Sequence, residues 1–341
     1  MIHPLLQTYG PFDGWMILLL IASVSIGFFT YQIQKATRLV LIGAPDSRFD
    51  SWGPRIKEFI LGWLGQKKVL RDRVAGTMHV LMFWGFLMLA SDMFDLATAN
   101  YFSGELLPEL VVGPWNGMVE LGYTMALIGC VSALVRRVAF TPEKLKGKSQ
   151  LEGNAILLLI FTITTTSFMI ESKEDPSPFW EPIGYQFSEF GLADRTVVVS
   201  YWLHMLAISV FLFLIPLSKH MHLVMAVPNV FFHDTGPAAK MRPLAMGDDG
   251  KAVPLEDLDI DSFGVSSYTQ YTWRQLIDGW SCTSCARCQD VCPAYASGKG
   301  LNPMQVIHDV RDYANEHAPL LLSGEAPEET MMQRITEEAV W

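Results

Sequence analysis

Five stretches of this 341-residue chain, 15–33, 74–96, 115–135, 154–170 and 196–217, are apolar for long enough to cross the roughly 30 Å of a bilayer's hydrocarbon as helices. So little charge interrupts them that buried helices of one large soluble core are a poor account. The bias is regional: half of all residues are hydrophobic and 18% are charged, yet almost all of the apolar excess lies before about residue 227. The remainder of the chain carries acidic and turn-forming stretches such as Asp248-Asp249-Gly250 and Glu256-Asp257-Leu258-Asp259. The chain therefore reads as an all-α membrane domain over 1–226, a connector over 227–280 and a mainly helical segment over 281–341.

Positive charge sorts the loops by side, because Lys and Arg near span ends stay in the cytoplasm. Between the first two spans lie Lys35, Arg38, Arg48, Arg55, Lys57, Lys67, Lys68, Arg71 and Arg73; between the third and fourth lie Arg136, Arg137, Lys144, Lys146 and Lys148. The N-terminal segment and the loop 97–114 have neither, and the loop before the fifth span has only Lys173 and Arg195. The expected arrangement is a five-transmembrane-helix bundle with its N-terminus outside and everything after Leu217 in the cytoplasm. The first 14 residues carry no Lys or Arg, so the first apolar run reads as a retained span in the cell membrane, in contact with lipid, and not as a cleaved signal. A net charge of −10 argues against a nucleic-acid partner, which needs a concentrated basic surface.

Four of the five cysteines fall within eleven residues, Cys282-Thr-Ser-Cys285-Ala-Arg-Cys288-Gln-Asp-Val-Cys292-Pro293. This is the C-x2-C-x2-C-x3-C-P run of ferredoxin-type clusters. Three close thiolates wrap three irons of a 4Fe-4S cubane, short spacers leave backbone N–H groups to face the sulfurs, and the proline turns the chain away. A structural zinc site would usually take two well-separated C-x2-C pairs. In two-cluster modules the fourth cysteine ligates the other cluster, so Cys292 completes either this cluster or a second one. Only one copy of the motif is present, which suggests the N-terminal piece of a longer polypeptide. Past it, 303–316 reads as a helix with Asn302 as its cap and Pro303 in its first turn, and shorter helices are expected over 271–277 and 330–341.

Histidine inside a bilayer marks a cofactor, a pathway or a proton relay. His79 lies near the cytoplasmic start of the second span, His204 in the outer half of the fifth, and His222 at or beyond its inner end. On one continuous helix the eighteen-residue spacing sets His204 and His222 on the same side, roughly 27 Å apart. His79 and His222 satisfy the depth condition for clamping one haem b iron between two antiparallel spans. An outer haem at His204 needs a partner from the second span, where Met88 and Met93 are the soft donors. Asp92, Asp95, Glu120 and Arg195 sit near outer span ends, where a quinone headgroup could exchange protons, although solvated helix ends explain them as well. Cys130 reads as core.

The outside N-terminus, the five spans, His79 and the pair eighteen apart resemble the nitrate reductase gamma-subunit type of cytochrome b. That family has two haem-ligand histidines in its second span; here His79 matches the first, and Leu89 stands at the second, ten residues on. Residues 282–307, including Gly298-Lys-Gly-Leu-Asn-Pro303, resemble the start of the heterodisulfide-reductase-type iron-sulfur subunit. The fusion of the two resembles membrane-bound Fe-S oxidoreductases linked to electron-transfer flavoprotein and menaquinone, and implies a cytoplasmic ferredoxin-like iron-sulfur segment after the bundle. It further implies electron flow from reduced electron-transfer flavoprotein, through the 4Fe-4S cluster and haem b, to menaquinone. Two alternatives stay open: quinol-linked thiol-disulfide reduction of the heterodisulfide type, and a membrane anchor that docks a soluble redox partner.

Overall fold

The computed structural model describes residues 3–97, 109–140, 148–236, 255–257, 265–336 and 339, with the side chains of 92–97, 109–111, 148, 149 and 255 left aside. A small antiparallel hairpin, β1 (Thr8–Tyr9) and β2 (Phe12–Asp13), leads into α1 (Gly14–Leu41), the short α2 (Trp52–Phe59), α3 (Arg73–Ala97) and α4 (Glu109–Ala139). Then come α5 (Lys148–Glu171), α6 (Pro182–Glu189), α7 (Asp194–Leu217) and α8 (His222–Phe231). Six helices close the order: α9 (Trp273–Ser281), α10 (Arg287–Asp290), α11 (Pro293–Ala296), α12 (Pro303–Glu316), α13 (Ala318–Ser323) and α14 (Met331–Arg334). Five of these helices, α1, α3, α4, α5 and α7, are long and apolar enough to cross a membrane, and each contains one of the five predicted runs. The largest departure is α1, which continues eight residues past position 33 through Lys35 and Arg38.

The chain divides into two compact units, Met1–Thr30 with Gln66–Ser218, and Tyr31–Gly65 with Lys219–Trp341. In the first, α3 runs antiparallel to α4 along a seam of small residues. A Cβ added to Gly85 would lie 2.8 Å from the carbonyl oxygen of Gly122, one on Gly122 2.7 Å from Met88 Cβ, and one on Gly129 2.8 Å from the carbonyl oxygen of Met78. Between apolar helices in lipid, association depends on such close backbone approach, because hydrophobicity gives no preference for protein over lipid tails. Helix α5 lies antiparallel to both α4 and α7: Cys130 Sγ–H donates to the carbonyl of Leu157 at 2.9 Å, and Ser200 Oγ–H to Met169 Sδ at 3.2 Å. Cys130, fully buried, is core as expected. Phe86 of α3 stacks on Phe211 of α7 with ring centroids 5.7 Å apart. That stack fixes the register of two antiparallel spans.

The helix carrying His204 does not continue to His222. It ends at Leu217, where Ser218 turns extended (φ −131°, ψ 175°), and a 3-10 turn over Lys219–Met221 precedes α8. Pro216 lies just before the break, and a proline ring denies the ladder one N–H donor. The same-side, 27 Å relation of the two histidines on one helix is therefore corrected: they stand on different helices.

The second unit gathers residues distant in sequence. Ala36, Leu39 and Val40 from the last turns of α1 share one buried core with Leu276, Ile277 and Trp280 of α9 and with Val310, Tyr313 and Ala314 of α12. Each large side chain fully removed from water there contributes about 1.5–3 kcal/mol. Tyr268 O–H donates to the carbonyl of Leu39 at 3.1 Å. A capping box opens α9, with Thr272 accepting from Gln275 N–H while the Gln275 side chain accepts from Thr272 N–H. Asn302 and Pro303 open α12 over the predicted residues, whereas the expected helix at 330–341 contains the four-residue α14.

Candidate metal centre

Residues 282–286 form an irregular loop between the end of α9 and the start of α10. Two of its non-glycine residues are left-handed, Ser284 at φ 55° and Ala286 at φ 60°. Alternation of ordinary and left-handed residues curls a backbone into a concave nest of N–H groups, a form that receives anions and iron-sulfur clusters. Burial pushes the Cys282 thiol pKa up, and the backbone at Ser284 offsets part of that. Cys285 is exposed at the loop's tip, while Cys282, Cys288 and Cys292 are half-buried. Cys292 precedes Pro293, and its sulfur accepts from Tyr295 N–H at 3.5 Å. The loop thus presents the thiols of Cys282 and Cys285, with Cys288 on α10 and Cys292 just before α11, and its curled backbone suits the donor set of a 4Fe-4S cluster.

A fifth side chain joins them that the sequence did not single out. His308 Nε2, from α12, lies 3.4 Å from Cys282 Sγ and 3.3 Å from Ser284 Oγ. Burial and the neighbouring Arg311 guanidinium hold its pKa below the usual histidine value. No spacing rule links positions 282 and 308; only the packing of α12 on α9 brings them together.

Two of the three predicted haem histidines share a local geometry suited to ligation. His222 Nδ1 lies 2.8 Å from the carbonyl of Lys219, and His204 Nδ1 lies 3.1 Å from that of Ile163 and 3.0 Å from Thr166 Oγ1. A carbonyl only accepts, so Nδ1 carries the proton and the lone pair falls on Nε2, the tautomer a metal-ligating imidazole adopts. Burial holds the His222 pKa below its ordinary value, which also favours the neutral ring. His79, half-buried on α3, sits three and seven residues before Met82 and Phe86, hence on the face that meets the core.

The Phe86–Phe211 stack assigns depths. Seven residues separate His79 from Phe86 and His204 from Phe211, so the two histidines lie roughly 10 Å to either side of the stack and cannot share one iron. Position 218 is level with His79, and Met93 is level with His204. Met88 instead has its Cβ against Gly122 of α4. The side chains of Met93, Asp92 and Asp95 lie outside the described residues.

Glu120 is not a solvated helix end. It is 3% exposed, and its carboxylate accepts from the N–H groups of Ile183 and Gly184 at 3.0 and 2.8 Å, capping α6. Helix N-termini attract such carboxylates. Arg195 is exposed at the start of α7, beside an open cavity it shares with Leu6, Gln7 and Thr8.

No protein-family profile and no solved structure matches the chain. Among curated proteins it is similar to a probable iron-sulfur-binding oxidoreductase, FadF, of Bacillus subtilis, at 25% identity over 320 residues that cover 90% of this chain and 44% of that protein. To an EtfAB:quinone oxidoreductase of Syntrophomonas wolfei it is 28% identical over 351 residues, 96% of this chain and 47% of the relative. A probable membrane-anchored ferredoxin of Chromohalobacter salexigens is 38% identical over 68 residues, 19% of this chain and 10% of that protein. The chain spans about half the length of the first two. Along nearly its whole length, then, it is similar to two proteins named as oxidoreductases, one of them acting with quinone.

Proposed function

We propose that this chain is the membrane electron-transfer part of a quinone-linked oxidoreductase, joining a cytoplasmic electron donor to quinone in the bilayer. The observation that carries the reading is the curled cysteine loop in a chain that also has five helices able to cross a membrane. Cys282, Cys285 and Cys288 hold the 4Fe-4S cluster, and Cys292 completes it or serves a second one. His79 and His222 hold haem b, and His204 is the ligand from α7 for a second haem, with Met93 at its level. These groups, when bound, supply one-electron chemistry, while the substrate quinone takes two electrons and two protons. The relative named EtfAB:quinone oxidoreductase makes reduced electron-transfer flavoprotein the first donor to test. Menaquinone is the acceptor that the family resemblance favours.

The residues of the chain have distinct parts in this. The carbonyls of Lys219 and Ile163 orient imidazoles, and the core around Leu276 and Tyr313 keeps the cysteine loop on a fixed base. The test is oxidation of reduced electron-transfer flavoprotein by membranes carrying the full-length protein, with and without added menaquinone. Quinone-dependent oxidation that Cys285→Ser abolishes is the expected result; oxidation that persists in Cys285→Ser membranes, or none in the native ones, would reject the reading.

A further inference from the structure

The contact between His308 and Cys282 is not that of a loose surface side chain. Helix α12 starts under a cap, Asn302 Oδ1 accepting from the N–H groups of Met304 and Gln305 at 3.1 Å each. Val310, Tyr313 and Ala314 then bury it against α9. At Gly279 the two helices touch: a Cβ there would lie 2.9 Å from Arg311 Cβ and 3.5 Å from the carbonyl oxygen of Ile307, the residue before His308. Gly279 is three residues from Cys282. The imidazole is therefore set against this sulfur by the packing of two capped helices.

A thiolate that ligates iron has no proton to give, so at 3.4 Å the proton of any hydrogen bond must come from the ring. We propose that His308 Nε2–H donates to the Cys282 sulfur of the iron-sulfur cluster and holds the reduction potential of that cluster up. The inference rests on the reading that these cysteines bind a cluster. An added electron places negative charge on the ligating sulfurs, and a donor aimed at one of them stabilises the reduced state more than the oxidised one. Ser284 Oγ accepts from the same N–H at 3.3 Å, so the bond is shared. A cluster raised in this way accepts electrons more readily from a donor of modest reducing power. His308 is a positioning residue for the cluster's electronics and not one of its ligands.

The test is a redox titration followed by electron paramagnetic resonance on the full-length protein, native and as His308→Ala and His308→Gln. All three should carry equal iron and sulfide. At the native midpoint potential, His308→Ala should show a reduced-to-oxidised ratio about tenfold lower, equal to a fall of 59 mV for a one-electron couple. His308→Gln, whose amide N–H takes the place of Nε2–H, should stay within about threefold of native. A native midpoint in His308→Ala would overturn the inference, as would an equal shift in both variants, which would implicate loss of the ring and not of the donor. Loss of iron from His308→Ala would overturn it too, since a group that only tunes a cluster is not needed to hold it. A native protein without any cluster signal would reject the proposed function itself, a result distinct from all of these.

Discussion

Arg55 is the most completely buried charged side chain among the described residues, at 1% exposure, and its partners explain why. Its guanidinium donates to the carbonyls of Asp50 at 2.7 Å, His233 at 2.6 Å and Phe231 at 3.3 Å, and to the Asp50 carboxylate at 2.6 Å. It closes the C-terminal end of α8, the helix that begins at His222. Arg55→Ala removes the donor from those carbonyls, and each hydrogen bond lost costs about 0.5–1.5 kcal/mol. The expected outcome is a lowered apparent Tm in detergent, with Arg55→Lys recovering only part because an ammonium lacks the planar fork. The cysteines give the other prediction at this scale. Replacing Cys282 or Cys288 with Ser should reduce iron and acid-labile sulfide per chain to a small fraction of native, measured by chemical analysis. Unchanged iron in both would show that the loop is not the cluster site.

At the scale of elements, close helix approach decides what the spans can tolerate. Gly129→Val inserts two further carbons where a Cβ alone would lie 2.8 Å from the carbonyl oxygen of Met78, so α3 and α4 must separate. Overpacking of this kind costs about 1–3 kcal/mol. Gly27→Ala is the control, since nothing lies within 4 Å of a Cβ there. Thermal inactivation should shift down for the first variant and not for the second. The break after α7 belongs to the same scale. The apolar run ends at Leu217, and an eighteen-residue spacing alone does not say whether one helix carries both His204 and His222. Extended Ser218, two residues after Pro216, sets His204 and His222 on separate helices. The Phe86–Phe211 stack then supplies a depth scale that spacing along one chain segment cannot provide. It shifts attention from Met88 to Met93 as the residue level with His204.

For the whole molecule, the haem and sidedness expectations become measurable together. Dithionite-reduced minus oxidised spectra of the purified protein should show a b-type alpha band that His79→Ala removes; an unaltered band in that variant would mean another ligand. If a second haem is present, His204→Ala should remove a separate component and leave the first. For orientation, a cysteine introduced at Ser297, beyond the cysteine loop, should resist a membrane-impermeant maleimide in right-side-out vesicles and react in inverted ones. The reverse pattern would place the C-terminal segment outside.

Some of this was fixed by local chemistry and some was not. The five spans were legible because crossing hydrocarbon demands about twenty apolar residues in a row, a one-dimensional property. The cysteine loop was legible for a like reason: neighbouring ligands of one cluster can lie within a few residues. The start of α12 could be read from Asn302 and Pro303, because a cap acts on the next turn alone. Beyond the reach of the sequence lay whatever depends on residues far apart meeting. The last turns of α1 and the loop after it join the C-terminal segment in one unit, Glu120 caps a helix more than sixty residues away, and His308 reaches Cys282 across a gap of 26 residues. Sequence spacing constrains neighbours along the chain, but contacts between elements are set by which surfaces pack, and packing is decided only in three dimensions.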